Sequence, residues 1–257
     1  MSPLRFLLAV SALAILSQDI LGQTSTAMKP VKGGYTLPLY GLDTAKIWVD
    51  DFLLDEHAVT NGQYLDFVNN YPEWQKSKVK GIFADAAYLI NWKTDLSLGE
   101  NMNPLAPVTN VSWFAAKAYC ACLGKRLPTI DEWELAALAS ETKANAANDS
   151  AFNQQIVASY ETPNTYSKPT KSTYKNYWGI YDMHGLIWEW TSDFNSVLIS
   201  GESRKDGDAD RDLFCAGSAI NASNLRDYAA FMRYAFRGSI KANYNIQNLG
   251  FRCAKTN

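Results

Sequence analysis

The pattern of apolar and polar positions predicts short helices and strands separated by long irregular segments. Residues 46–52, KIWVDDF, have the composition of a strand. Thr60 and Thr129 each stand three positions before a glutamine or glutamate, an arrangement that predicts a capping box at a helix start. Ser112 is a candidate N-cap for a helix that ends before Gly124.

The remaining long segments predict loops. Residues 71–107 show little periodicity, residues 141–176 are rich in Ala, Asn, Ser and Thr, and residues 201–212 are highly charged. No internal repeat and no separating linker is visible. The sequence therefore predicts one α+β domain over residues 24–257, rich in loops and poor in regular secondary structure.

The N-terminus has the features of a secretory signal peptide. Arg5 precedes an apolar run of eleven residues, which is too short to span a bilayer, and polar and small residues follow up to Gly22 and Gln23. We expect residues 1–23 to be removed. The mature protein is then exported, periplasmic or secreted, without a membrane anchor, and disulfides are permitted there.

Composition narrows the choice of partners. The chain has 257 residues, a net charge of -2 and a hydrophobic fraction of 47%. This near-neutral balance gives no sign of nucleic-acid binding. Eight tryptophans and fourteen tyrosines supply side chains that fill cores and also line peptide- or sugar-binding surfaces.

Two carboxylates stand in an unusually apolar stretch. Residues 181–193 read YDMHGLIWEWTSD and contain Asp182 and Glu189. A buried carboxylate is costly unless a positive or hydrogen-bonding group meets it. The nearest preceding basic residue is Lys175, so the expected partner is either a distant basic side chain or a cation.

The four cysteines allow three pairings, of which one is excluded. Cys120 and Cys122 lie two positions apart on a predicted helix and point to nearly opposite sides. Two arrangements remain open: Cys120 with Cys253 and Cys122 with Cys215, or the crossed pairing.

Four sequence blocks resemble the formylglycine-generating enzyme (sulfatase-modifying factor) superfamily. RLPT followed by EWE, and NLGFRC near the end, make the resemblance specific, and it extends from about Trp48 to Lys255. It implies a compact domain with little regular secondary structure, related to C-type lectins. It also implies a disulfide between Cys120 and Cys253. The blocks are residues 52–69, 108–137, 178–193 and 234–254.

The resemblance also implies a structural calcium ion in the stretch with the two carboxylates. The expected ligands are the side chains of Asp182 and Glu189 and the carbonyl oxygens of Gly185 and Ile187. Such a mixture of carboxylates and carbonyls is what calcium prefers.

The catalytic residues of the family have no match in this chain. Enzymes of this family oxidise a sulfatase cysteine to formylglycine with oxygen and a copper ion held by two cysteines. The matching interval, Ser218 to Arg237, contains no cysteine. A copper site or redox pair would therefore need relocated thiols, for which Cys122 and Cys215 are the candidates. Residues 214–219 and 227–237 resemble NirV, the exported accessory proteins associated with copper-containing nitrite reductases.

The leading hypothesis is an exported accessory or maturation factor that recognises another exported protein or peptide. Whether it is an enzyme stays open, and a formylglycine-generating oxidase with relocated thiols and a lectin-like ligand-binding module are the alternatives. The alternative to a binding role is that Arg237 and Arg252 pair internally with Asp or Glu. Candidate binding residues are Arg226, Arg233, Arg237, Trp188 and Trp190.

Overall fold

A computed structural model describes residues 25–36, 46–196 and 225–257. The predicted signal peptide, the charged loop at 201–212 and Cys215 lie outside these residues, as does the side chain of Arg226. None of the helices in the described ranges is long and apolar enough to cross a bilayer.

Short strands form three small sheets. The first is antiparallel with the order β1-β4-β7, the second is the antiparallel hairpin β2-β3, and the third is the parallel pair β5-β6. The strands are β1 Met28–Val31, β2 Gly34–Thr36, β3 Ile47–Val49, β4 Phe52–Asp55, β5 Trp188–Glu189, β6 Leu249–Gly250 and β7 Ala254–Thr256.

The α-helices of the described residues begin at the predicted capping residues where such a prediction was made. Thr60 and Thr129 form complete capping boxes, and the Ser112 side chain accepts a hydrogen bond from the Ala115 amide. The α-helices are α1 Asn61–Asn70, α2 Trp113–Cys122, α3 Ile130–Ala137, α4 Ser150–Tyr160 and α5 Leu225–Ser239, and 3-10 turns occur at Pro72–Trp74 and Thr165–Ser167.

The predicted strand over residues 46–52 is wrong as a single element. It divides into β3 and β4, which belong to different sheets. Asp51 lies at the division, where its carboxylate accepts hydrogen bonds from the Lys32 ammonium at 2.7 Å and the Gly33 amide at 2.8 Å. These contacts hold the chain where it passes from one sheet to the next.

The prediction of a loop over residues 141–176 is also wrong, because α4 lies within it. The Asp149 carboxylate caps this helix through the amides of Ala151 and Phe152. Phe152 and Ile156, four positions apart, are its buried apolar residues, and they pack with Ala229 of α5. An apolar contact with a distant helix thus stabilises a helix of mostly polar composition.

The main core surrounds α1 and α2. Tyr64, Tyr119 and Phe251 are almost completely buried and contact one another through their rings. Beside them, Cys120 and Cys253 form the disulfide that the resemblance implies, with neither residue exposed. The bond joins α2 to the residue before β7, across a sequence separation of 133.

Candidate functional site

A cleft lies between α4, α5 and the loop before β5, and we call it the arginine cleft. It brings together side chains from three of the four sequence blocks, those at residues 108–137, 178–193 and 234–254. Residues that line it include Tyr160, His184, Trp188, Glu189, Arg233 and Arg237.

Two arginines of α5 share one carboxylate of α3. Arg233 donates to both oxygens of Glu134, with its Nη2 2.6 Å from Oε2, and also to the Tyr160 hydroxyl at 2.9 Å. Arg237 donates through Nη1 to Oε1 of Glu134 at 2.8 Å. Burial alone would raise the pKa of Glu134, but the two guanidinium charges lower it to about 2. Glu134 therefore stays ionised and fixes α5 to α3.

Trp133 connects this group to a second buried ion pair. The guanidinium of Arg237 lies 5.1 Å from the centre of the Trp133 ring, within the range of a cation–π contact. The Trp133 indole N–H donates to Oε2 of Glu189 at 2.8 Å. Glu189 in turn accepts two hydrogen bonds from Arg252, both at 2.8 Å.

Arg252 is the distant basic side chain that meets the apolar carboxylate stretch. Its side chain is completely buried, and its remaining donors reach the carbonyl oxygens of Asp55 at 3.3 Å and Tyr181 at 3.1 Å. Burial opposes the charge, but the Glu189 carboxylate more than offsets this and raises the pKa of Arg252. Arg237 and Arg252 thus both pair internally with glutamates.

Asp182 obtains its donors from the preceding loop. Its carboxylate accepts hydrogen bonds from the amides of Lys171 and Thr173 and from the Thr173 hydroxyl, which lies 2.9 Å away. Asp182 itself has a left-handed backbone with φ of 58°, and Gly185 has φ of 87°. The Asp182 carboxylate therefore holds the turn that contains it against the backbone of the preceding loop.

The two carboxylates predicted to bind calcium already have partners within the protein. Each carboxylate oxygen of Asp182 and Glu189 already accepts a hydrogen bond from the protein, and Arg252 supplies the positive charge beside Glu189. Within residues 25–36, 46–196 and 225–257, no three His, Cys, Asp or Glu side chains form a metal-binding group. Calcium binding through Asp182, Gly185, Ile187 and Glu189 stays a prediction.

The two tryptophans proposed for binding lie in different surroundings. Trp188 is partly buried and stacks between Tyr160 and Phe236, at centroid distances of 5.1 and 4.8 Å. Both of its ring faces are covered, so only its edge faces the cleft. Trp190 is 1% exposed, donates to the Val111 carbonyl and belongs to the core.

His184 is a cleft residue that sequence analysis did not assign. It lies edge-on to the rings of Trp133 and Phe152, and its Nε2 is 3.0 Å from the Ala137 carbonyl oxygen. Its Nδ1 has no hydrogen-bond partner within the described part of the chain. Burial, and then the charge of Arg233, lowers the pKa of His184 to about 3, so the ring is neutral at pH 7. His184 lies within the block at residues 178–193, but the sequence alone gives no sign that its ring lines a cleft.

The candidate redox thiol lies on the far end of α2 and does not line the arginine cleft. Cys122 is half-buried, its Sγ donates to the Tyr119 carbonyl oxygen at 3.0 Å, and Tyr71 lies beside it. Burial raises the pKa of the Cys122 thiol and lowers its thiolate fraction at neutral pH. Its proposed partner, Cys215, is outside the described residues.

Known proteins with similar sequences include formylglycine-generating enzymes. The formylglycine-generating enzyme of Bos taurus is 26% identical over 251 residues, which cover 81% of this chain and 67% of that protein. A second Bos taurus protein, inactive C-alpha-formylglycine-generating enzyme 2, is 30% identical over 172 residues, which cover 58% of this chain and 50% of its own length.

A solved structure agrees with the fold. The crystal structure of CarF superposes with a TM-score of 0.52 at 19% sequence identity and covers 90% of this chain and 98% of that one. The profile of the sulfatase-modifying factor enzyme 1-like domain matches residues 23–257. The chain therefore belongs to the sulfatase-modifying factor family, with a mixed helix and sheet domain of little regular secondary structure.

Proposed function

We propose that this protein is an exported accessory or maturation factor that recognises another protein and does not oxidise sulfatase cysteines. One observation carries the proposal. The interval from Ser218 to Arg237, which bears the copper-binding cysteines in the resembling enzymes, contains no cysteine here. No thiolate in this interval is therefore available to bind Cu(I).

The contacts of α5 support the same proposal. Arg233 and Arg237 are almost fully buried and are held by Glu134, so this part of the helix serves to fix α5 against α3. A relative named as inactive, at 30% identity, makes a role without the family's oxidation chemistry reasonable for this fold. The buried disulfide between Cys120 and Cys253 is in keeping with export, because such bonds persist in oxidising compartments.

Copper binding separates this proposal from an oxidase with relocated thiols. We expect the protein, titrated with Cu(I) under anaerobic conditions against a chromophoric chelator, to take up no stoichiometric copper. The half-buried Cys122 thiol, with its raised pKa, is a poor thiolate ligand.

The Cys122→Ser and Cys215→Ser variants provide the comparison. Tight binding of one Cu(I) by the unmodified protein, lost in both variants, would favour the relocated-thiol oxidase. A lectin-like module would also leave copper unbound, and binding to a glycan array but to no protein partner would favour that alternative.

A further inference from the structure

The hairpin β2-β3 presents an exposed aromatic face. Tyr35 and Trp48 are directly opposite each other across the two strands, with ring centroids 5.0 Å apart in an edge-on arrangement. Their exposed fractions are 58% and 56%, and the neighbouring Ile47 is 39% exposed. Contiguous exposed aromatic side chains of this kind are typical of surfaces that bind a partner.

This aromatic face is held in place by its own hydrogen bonds. The indole N–H of Trp48 donates to Oδ1 of Asp50 at 2.9 Å, which fixes the ring. At the same end of the hairpin, the Asp51 carboxylate accepts hydrogen bonds from Lys32 and Gly33. A partner therefore meets a surface whose ring orientation is already set, and this reduces the ordering cost of binding.

An acidic groove adjoins the aromatic face, between the hairpin and the start of α3. Arg126 pairs with Glu132 through two contacts of 2.6 and 2.7 Å, and Lys32 pairs with Asp51 at 2.7 Å. The groove has four carboxylates, those of Asp50, Asp51, Asp131 and Glu132, and two of them pair with these cations. Asp50 and Asp131 therefore have no ion-pair partner among the described residues. Residues lining the groove include Trp48, Asp50, Asp51, Arg126, Asp131 and Glu132.

Asp131 is the most exceptional of these carboxylates. It is partly buried, and no donor or cation among the described residues contacts its side chain. Burial, followed by the negative charge of Asp193 and Glu134, raises the pKa of Asp131 more than the charge of Arg237 lowers it. A cation placed beside Asp131 would offset this local excess of negative charge.

We propose that the aromatic face and the acidic groove bind a basic segment of a partner protein. An arginine or lysine side chain of the partner lies against the Trp48 ring and reaches the carboxylates of Asp50 and Asp131. Trp is the strongest cation–π acceptor among the side chains, and its ring here is free of any such contact within the described part of the chain. This inference rests on the proposed role in partner recognition and assigns it a surface.

The charge of the groove favours this occupant over a second copy of the same chain. Two copies that meet through this surface would bring the unpaired carboxylates of Asp50 and Asp131 close to those of the other copy. Like charges placed together at an interface are unfavourable. A basic segment supplies the complementary charge and an aliphatic stem that packs on Tyr35 and Trp48.

Peptide binding tests the proposal. The probe is a fluorescein-labelled peptide of alternating arginine and alanine, compared by anisotropy with the same peptide carrying glutamate. We expect the arginine peptide to bind, more weakly as salt is raised, and the glutamate peptide not to bind. Trp48→Ala and Asp131→Asn should each weaken binding about fivefold, the scale of one cation–π or charged contact.

Exposed positions outside this surface provide matched controls. Ile82→Ala, at a side chain that is 71% exposed, and Asp66→Asn, on the exposed side of α1, should leave binding unchanged. Equal binding by Trp48→Ala and the unmodified protein, no binding of the arginine peptide, or a dimer in sedimentation that Trp48→Ala disrupts would each overturn the inference. Each of these results leaves the proposed function intact, because Cu(I) binding, glycan binding and formylglycine formation test that function separately.

Discussion

Loss of the disulfide is expected to lower the free energy of unfolding by about 5 kcal/mol, the chain-entropy value for a loop of this length. The Cys120→Ala/Cys253→Ala double variant removes the bond without leaving a free thiol, and the closed loop spans a sequence separation of 133. Domains of this kind have about 5 to 15 kcal/mol of stability in all, so the variant should be close to unfolding at 37 °C. Urea denaturation followed by circular dichroism measures the change.

A second thiol provides the control for this experiment. Cys122→Ala removes a half-buried cysteine from the same helix but leaves the disulfide in place. We expect Cys122→Ala to lower the free energy of unfolding much less than the double variant does. A free energy of unfolding for the double variant within about 1 kcal/mol of that of the unmodified protein would contradict this prediction. The disulfide would then not restrict the conformations of the unfolded chain as the entropy model requires.

Glu134→Ala is expected to destabilise the protein by about 3 to 5 kcal/mol, because removal of one partner from a buried ion pair leaves the other charge uncompensated. Here two guanidinium groups, those of Arg233 and Arg237, would lose their carboxylate. Glu141→Ala, at an exposed position a few residues later, is the matched control and should change stability little.

The same carboxylate predicts a pH dependence. The pKa of Glu134 is lowered to about 2 in the folded protein, below its ordinary value of 4.5. The contribution of the ionised Glu134 to the free energy of unfolding is therefore complete above pH 4.5 and decreases as the pH falls towards 2. The difference in unfolding free energy between the unmodified protein and Glu134→Gln should be smaller at pH 3 than at pH 7. A difference that is constant across this range would contradict the ionised state of Glu134.

Local signals in the sequence predicted the helix starts well. Capping by Thr60 or Thr129 depends on a side chain three positions away, and this information is contained in a short window. The prediction of one strand over residues 46–52 is wrong because the division into two strands depends on hydrogen bonds to Asp51. These come from Lys32 and Gly33, which lie 19 and 18 positions earlier. Composition did not reveal α4, which buries few apolar side chains.

The site depends on contacts between residues that are far apart in the sequence. Glu189 pairs with Arg252 across 63 positions, and Glu134 pairs with Arg233 across 99 positions. The apolar neighbours of Glu189 predicted that some positive group must be present, but did not predict which one. The resemblance placed the Cys120–Cys253 disulfide correctly. Trp190, a candidate binding residue from its place in the sequence, fills the core instead.

Formylglycine formation is the most direct test of the proposed function. The purified protein is incubated in air with a cysteine-containing sulfatase peptide, with and without copper, beside an active formylglycine-generating enzyme. Mass spectrometry of the peptide and an oxygen electrode record the outcome. Because the interval from Ser218 to Arg237 has no cysteine to hold copper, the peptide thiol should remain unchanged and oxygen uptake should not depend on the peptide. Copper-dependent conversion of the cysteine to formylglycine would contradict the account.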